Sequence, residues 1–130
     1  MAGRILVVED EPQLLQAITI RLTAAGFNCE TAVNGKEALA KLGDWVPDLI
    51  IADLLMPEMD GYTLVQHLKA NPRTAAVPII VLTAVPDHVL ARRAEELKGT
   101  CVLHKPFETN ELLATLRTML ATTPGEPSNG

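Results

Sequence analysis

Five short apolar runs, each followed by a stretch of helical spacing, organise this chain. Ile5-Leu6-Val7-Val8 predicts a first strand over Arg4 to Val8. Leu49-Ile50-Ile51-Ala52, the third, is an unbroken apolar run of the kind found in strands buried on both faces. Between them, Phe27 to Ala32 carries Asn28 and Glu30 and predicts a short second strand at a sheet edge. Val77 to Leu82 predicts the fourth strand, Pro78 being tolerable only near its beginning. Cys101 to His104 predicts the fifth.

The intervening segments carry helix signals. Glu11-Pro12 puts proline at a first helical position, Leu15, Ile18 and Leu22 share one face, and Gly26 stops the helix. Asn34-Gly35 turns the chain into helix two, Lys36 to Leu42. Helix three follows Asp60-Gly61 up to about Asn71, and the Asp60 carboxylate can cap its free amides. Helix four is expected from Asp87 to Leu97, closing at Gly99. Helix five, Glu108 to Leu120, has Leu112, Leu113, Leu116 and Leu120 as its apolar stripe. Strands alternating with helices imply an α/β fold whose parallel sheet is covered on both faces.

Composition narrows this reading. At 130 residues and 48% hydrophobic the chain suits one globular domain. We expect that domain over residues 3–121, with 122–130 (Thr122-Thr123-Pro124-Gly125-Glu126-Pro127-Ser128-Asn129-Gly130) a flexible tail or linker. The net charge is −5 with no run of basic residues, which argues against direct nucleic-acid binding. No stretch approaches the ~20 apolar residues of a membrane span. Met1-Ala2-Gly3-Arg4 runs straight into a strand, leaving no room for a signal peptide, so a cytoplasmic location is expected. Cys29 and Cys101 fit no metal spacing and read as small buried hydrophobes.

The candidate chemistry lies at strand ends, where open α/β sheets place their sites. Glu9 and Asp10 follow strand one, Asp53 strand three, Thr83 strand four and Lys105 strand five. Singly, each has a bland reading as a loop carboxylate, a turn hydroxyl or a solvated ammonium. Together they make a site. Carboxylates at close quarters repel, so one takes up a proton or a hard cation sits between them. Mg2+ (or Mn2+) accepts such oxygens and keeps several waters, so two or three acids suffice. A carboxylate beside it can attack a phosphoryl group and become an acyl phosphate. A lysine ammonium and a threonine hydroxyl would hold the phosphoryl oxygens. No Ser-His-Asp or Cys-His arrangement and no Walker-type glycine loop is present.

Taken as a set, these motifs carry a resemblance. They are the acidic pair Glu9-Asp10, Asp53 with Met56-Pro57 and Met59-Asp60-Gly61, then Thr83-Ala84 and Lys105-Pro106-Phe107. Over residues 4 to about 121 the chain resembles the response-regulator receiver domain, the CheY-like module of two-component signalling. The likeness implies a doubly wound, five-stranded parallel sheet in the flavodoxin-like order 2-1-3-4-5, with five helices. It implies Asp53 as phosphoacceptor, with Thr83 and Lys105 engaging the phosphoryl group. Asp10 would bind Mg2+ directly and Glu9 through water, with the Leu55 backbone carbonyl as a further ligand. The Lys105-Pro106 peptide would be cis. In that order Cys29 and Cys101 lie at opposite edges, ~19 Å apart and beyond disulfide reach.

Function follows from the same resemblance. A histidine kinase or phosphotransfer protein would donate the phosphoryl group. An effector protein or domain, or a second copy in an activated homodimer, would read the change on the face of helix four, strand five and helix five. The domain would catalyse only its own phosphorylation and dephosphorylation and turn over no external product, so it is not expected to be an enzyme.

The chain also departs from the family pattern. Glu9 stands where an aspartate is frequent. Val102, the switch position, stands where tyrosine or phenylalanine is usual, and Lys98-Gly99-Thr100 lacks the common Gly-Ala pair. Leu55 and Val85 flank the route of a hydrolytic water in relatives. Both are apolar here, which implies a long-lived acyl phosphate. His104 is expected to point outward by strand alternation, and His67 and His88 to sit on helix surfaces. Arg92-Arg93 reads as a solvated face on the side of helix four, strand five and helix five. Two other classes stay open. A haloacid-dehalogenase-type phosphatase would need a second acid where Leu55 stands. A phosphorylation-independent pseudo-receiver module would keep the fold alone, a reading Val102 keeps alive.

Overall fold

The computed structural model describes residues 3–56 and 58–121. The predicted tail, 122–130, lies outside the described residues. Five parallel strands form one sheet in the order β2-β1-β3-β4-β5. They are β1 (Arg4–Val8), β2 (Asn28–Ala32), β3 (Leu49–Asp53), β4 (Ile79–Thr83) and β5 (Cys101–His104). β2 is an edge strand and alternates in burial, as its polar positions require. Every residue of β3 and β4 is buried, which is what an unbroken apolar run in a two-sided sheet means.

Alternate side chains feed two cores. Ile5, Val7, Ile51, Ile80 and Leu82 pack with α1 (Pro12–Ala24) and α5 (Thr109–Ala121). Leu6, Val8, Ile50, Ala52 and Val81 pack under α2 (Gly35–Leu42) and α3 (Gly61–Ala70). Each fully buried aliphatic side chain in these runs contributes about 1.5–3 kcal/mol. Cys29 and Cys101 sit on opposite edge strands and are both free thiols.

Local signals act as their chemistry dictates. Pro12 opens α1, and Gly26, at φ +98°, ends it while Phe27 N–H donates to the Leu22 carbonyl (3.0 Å). Asn34 Oδ1 caps α2 by accepting from Glu37 N–H, and Asp60 Oδ1 caps α3 by accepting from Thr63 N–H. Strand four starts at Ile79, two residues later than the expected Val77. Val77 N–H turns back to the Thr74 carbonyl, and Pro78 has no N–H to offer, though its carbonyl accepts from Ile50.

Helix four departs most from expectation. Only Asp87–Leu90 is α-helical (α4); Ala91–Leu97 continues as a 3-10 helix broken by Arg93 at φ −125°, ψ 26°. Leu90 and Leu97 are both buried, so the apolar spacing is satisfied, but the backbone between them is drawn out of the α form. The Arg93 guanidinium stacks over the Tyr62 ring of α3 (3.7 Å to the centroid) and pairs with Glu96. Arg92 and Arg93 are both exposed, as a solvated face requires, and Arg93 in addition leans over α3. Among the described residues no helix is long and apolar enough to cross a membrane.

Candidate functional site

Asp53 is the last residue of β3, buried, with Leu82 of β4 beside it in register. On its other side β1 ends at Val8, opposite Ala52, so the next two residues of β1 emerge beside Asp53. Carboxylate oxygens of Glu9, Asp10 and Asp53 consequently lie within 4.8 Å of one another. Asp10 is exposed and Glu9 is fully buried. Lys105, just past β5, extends its ammonium to 3.0 Å from Asp53 Oδ2 and 3.3 Å from Glu9 Oε1. The Lys105-Pro106 peptide is cis.

The remaining valences of these acids are met by backbone. Asp53 Oδ1 accepts from Leu55 N–H (3.3 Å), and Glu9 Oε2 accepts from Glu11 N–H (3.1 Å). Burial pushes the Glu9 carboxyl up to about 7; the Glu11 amide and the Lys105 ammonium oppose the rise, and the Asp53 charge reinforces it. Burial alone would lower Lys105, yet its bonds to Asp53 and Glu9 outweigh that and hold it above its ordinary value.

Two close approaches fix the loop after Asp53. Gly61 N–H donates to the Leu54 carbonyl (2.7 Å), and a Cβ at Gly61 would stand 2.7 Å from the Asp53 carbonyl oxygen and Leu54 Cα. Gly35 leaves space for Met59, whose Cγ and Sδ would be 2.9 Å from an added Cβ. Glu58, at φ +67°, is held in the left-handed region while its carboxylate accepts from Asn34 Nδ2 (3.1 Å).

The donor set suits a small hard cation. Oxygens on opposite sides of an octahedral Mg2+ are about 4.2 Å apart at bonds of ~2.1 Å. A spread within 4.8 Å closes on such an ion by a few tenths of an ångström, or with one acid reaching through water.

The other expected positions are placed as follows. Thr83 is buried at the end of β4, its Oγ accepting from Val85 N–H (2.9 Å). Position 55, beside Asp53, is an exposed leucine, so the second acid a dehalogenase needs is absent there. Val102 is half-buried against the core under α2 and α3. His67 and His88 are exposed. His104 points outward as expected, but not into free solvent. Its Nε2 lies 2.8 Å from Asp87 Oδ1. Neither the Asp87–His104 nor the Asn34–Glu58 contact is legible in the sequence, because each partner is assigned only by the packing of adjacent loops. Beside the site, Glu11, Leu14, Ala84, Lys105, Pro106 and Phe107 line an open, mostly apolar recess of about 340 Å³.

Comparison with known proteins gives one consistent result. The family model of the response regulator receiver domain matches residues 5–117. The chain is 35% identical to the DNA-binding dual master transcriptional regulator RpaA of Synechocystis over 92% of its length, covering 50% of that protein. It spans about half the length of the curated relatives it matches first. The signal receiver domain of a histidine kinase from Syntrophus aciditrophicus superposes with a TM-score of 0.88 at 35% identity, covering 99% of this chain and 98% of that one. The receiver domain of the sensor histidine kinase PA1611 from Pseudomonas aeruginosa, solved with magnesium in its active-site cleft, gives 0.80 at 29% identity, covering 92% and 98%.

Proposed function

This chain belongs to the response regulator receiver domain family, a group of signalling modules, and we propose that it serves as a phosphorylation-dependent switch centred on Asp53. The observation that carries the reading is the Lys105 ammonium held between Asp53 and Glu9, with Asp10 completing an acidic triad. In this reading Glu9, Asp10, Asp53 and the Leu55 carbonyl hold Mg2+ (or Mn2+). Bound there, the ion neutralises charge on the incoming phosphoryl oxygens. An Asp53 carboxylate oxygen attacks phosphorus as the bond to the donor's imidazole nitrogen breaks, and the imidazole leaves with the electron pair. The Lys105 ammonium moves from bridging carboxylates to pairing a phosphoryl oxygen, and the Thr83 hydroxyl donates to another.

The donor is a histidine kinase or phosphotransfer protein. The result is a changed surface at α4, β5 and α5, read by an effector protein or domain, with homodimerisation as one form of output. The domain over residues 3–121 acts in the cytoplasm, with 122–130 as tail or linker. The relatives' DNA binding is not carried over to this domain, whose net charge is −5.

The test is incubation with acetyl phosphate and Mg2+, followed by intact-mass and peptide analysis. One phosphoryl group is expected on Asp53, and none in Asp53→Asn. A wild-type chain that stays unmodified would instead favour the phosphorylation-independent module that Val102 suggests.

A further inference from the structure

Asp87 and His104 close a short circuit around the expected phosphoryl-binding hydroxyl. His104 is the register partner of Thr83, and Lys105 N–H donates to the Thr83 carbonyl (2.8 Å). The chain leaves β4 at Thr83, passes through Ala84, Val85 and Pro86, and returns at Asp87 to within 2.8 Å of His104 Nε2. A carboxylate can only accept, so the imidazole Nε2 carries the proton in this contact. Within the circuit, Thr83 Oγ is occupied by Val85 N–H (2.9 Å), and Val85 packs half-buried on the core. The loop 84–86 thus has two tethers, one to the Thr83 hydroxyl and one to the end of β5.

We propose that His104 and Asp87 are a positioning pair that holds the β4–α4 loop, and with it Thr83, in its unphosphorylated placement. The idea rests on the phospho-switch reading. If Thr83 turns toward a phosphoryl oxygen, residues 84–87 move with it relative to β5. The pair sits across that movement and must lengthen or break. It does so on the same side of β5 as Val102, which has no ring to swing and cannot itself report the change. By linkage, whatever favours the unphosphorylated placement opposes phosphorylation to the same extent.

The experiment compares initial rates of Asp53 phosphorylation by acetyl phosphate and Mg2+ in wild type, His104→Ala, Asp87→Ala, the double variant and His104→Gln. Exposed pairs of this kind correspond to about a two- to fivefold effect. We expect each alanine variant to be faster by that factor, the double variant to be no faster than either single, and His104→Gln, which keeps an N–H donor, to return toward wild type. A pair that served only stability would lower the melting temperature and leave the rates alone. Unchanged or slower single variants, additive effects in the double, or no recovery in His104→Gln each overturn the proposal. Failure of wild type to take phosphate on Asp53 removes the underlying reading itself, and is seen separately in the mass spectrum.

Discussion

Lys105 and Asp53 are joined by an ion pair of 3.0 Å across the carboxyl edge of the sheet, and the same ammonium reaches the buried Glu9. Their residue numbers are 52 apart, and only the adjacency of β3, β4 and β5 brings them together. In the metal-free protein this ammonium is the positive charge that makes the crowded acids tolerable.

Lys105→Met is therefore expected to destabilise the metal-free domain. Removing one partner of a buried pair leaves uncompensated charge, but the lysine side chain is 21% exposed, so the loss is about 1–2 kcal/mol and not the full buried-pair value. Urea unfolding at neutral pH measures it. Saturating Mg2+ is expected to recover most of the difference, since a cation then occupies the same acids. A variant as stable as wild type without Mg2+ contradicts this account.

Glu9 sets a pH dependence with a definite sign. Its carboxyl lies at about 7 in the folded protein against an ordinary 4.5, chiefly because it is buried. The folded state holds this proton more tightly than the unfolded chain does. Its contribution is complete below pH 4.5 and is lost as pH rises to about 7, amounting to at most about 3 kcal/mol. Mg2+ requires the carboxylate, so its stabilising effect is expected to grow over the same interval. Melting temperatures of wild type and Glu9→Gln, with and without Mg2+ from pH 5 to 8, separate this group from the rest. Identical pH slopes in the two proteins rule the assignment out.

Gly61→Ala tests the loop that follows Asp53. The added Cβ meets backbone atoms at 2.7 Å, which cannot swing aside. A stability loss of about 1–3 kcal/mol is expected, with slower phosphorylation because Asp53 itself is displaced. Gly26→Ala is the control. It has open space but φ +98°, so it costs about 1 kcal/mol and leaves phosphorylation unchanged. If both variants phosphorylate alike, the close approach at Gly61 has no bearing on the site.

Under the proposed function, Leu55 and Val85 are expected to bear on the lifetime of the phosphorylated form. The exposed Leu55 side chain offers no group to orient a hydrolytic water, and Val85 is turned partly into the core. The acyl phosphate is expected to persist far longer than seconds in Mg2+, and Leu55→Asn to shorten it. Loss of label from purified phosphoprotein gives both half-lives. Decay within seconds in the wild type would end this idea.

Much of the architecture can be read from residue order. β1 and β5 have the predicted bounds, β2 is the expected edge strand, and Asp60 caps the helix it was expected to cap. These features depend on contacts within a few residues, or on two-sided burial that leaves a continuous apolar run. The 3-10 distortion after α4 could not be read that way. Leu90 and Leu97 suit an α-helix equally well, and Arg93, where the backbone leaves the helical region, stacks on the Tyr62 ring of another element.

The site divides along the same line. The kinds of group and their positions at strand ends follow from the chain itself, since hydrophobic runs set where each strand stops and which residue comes next. Strand order follows from likeness to a family, not from periodicity. The three-dimensional packing alone determined that Glu9 is sealed from water, that one ammonium serves two acids, and that His104 meets Asp87. Burial and pairing across distant segments are properties of how strands and loops stack. Short-range sequence patterns carry no record of them.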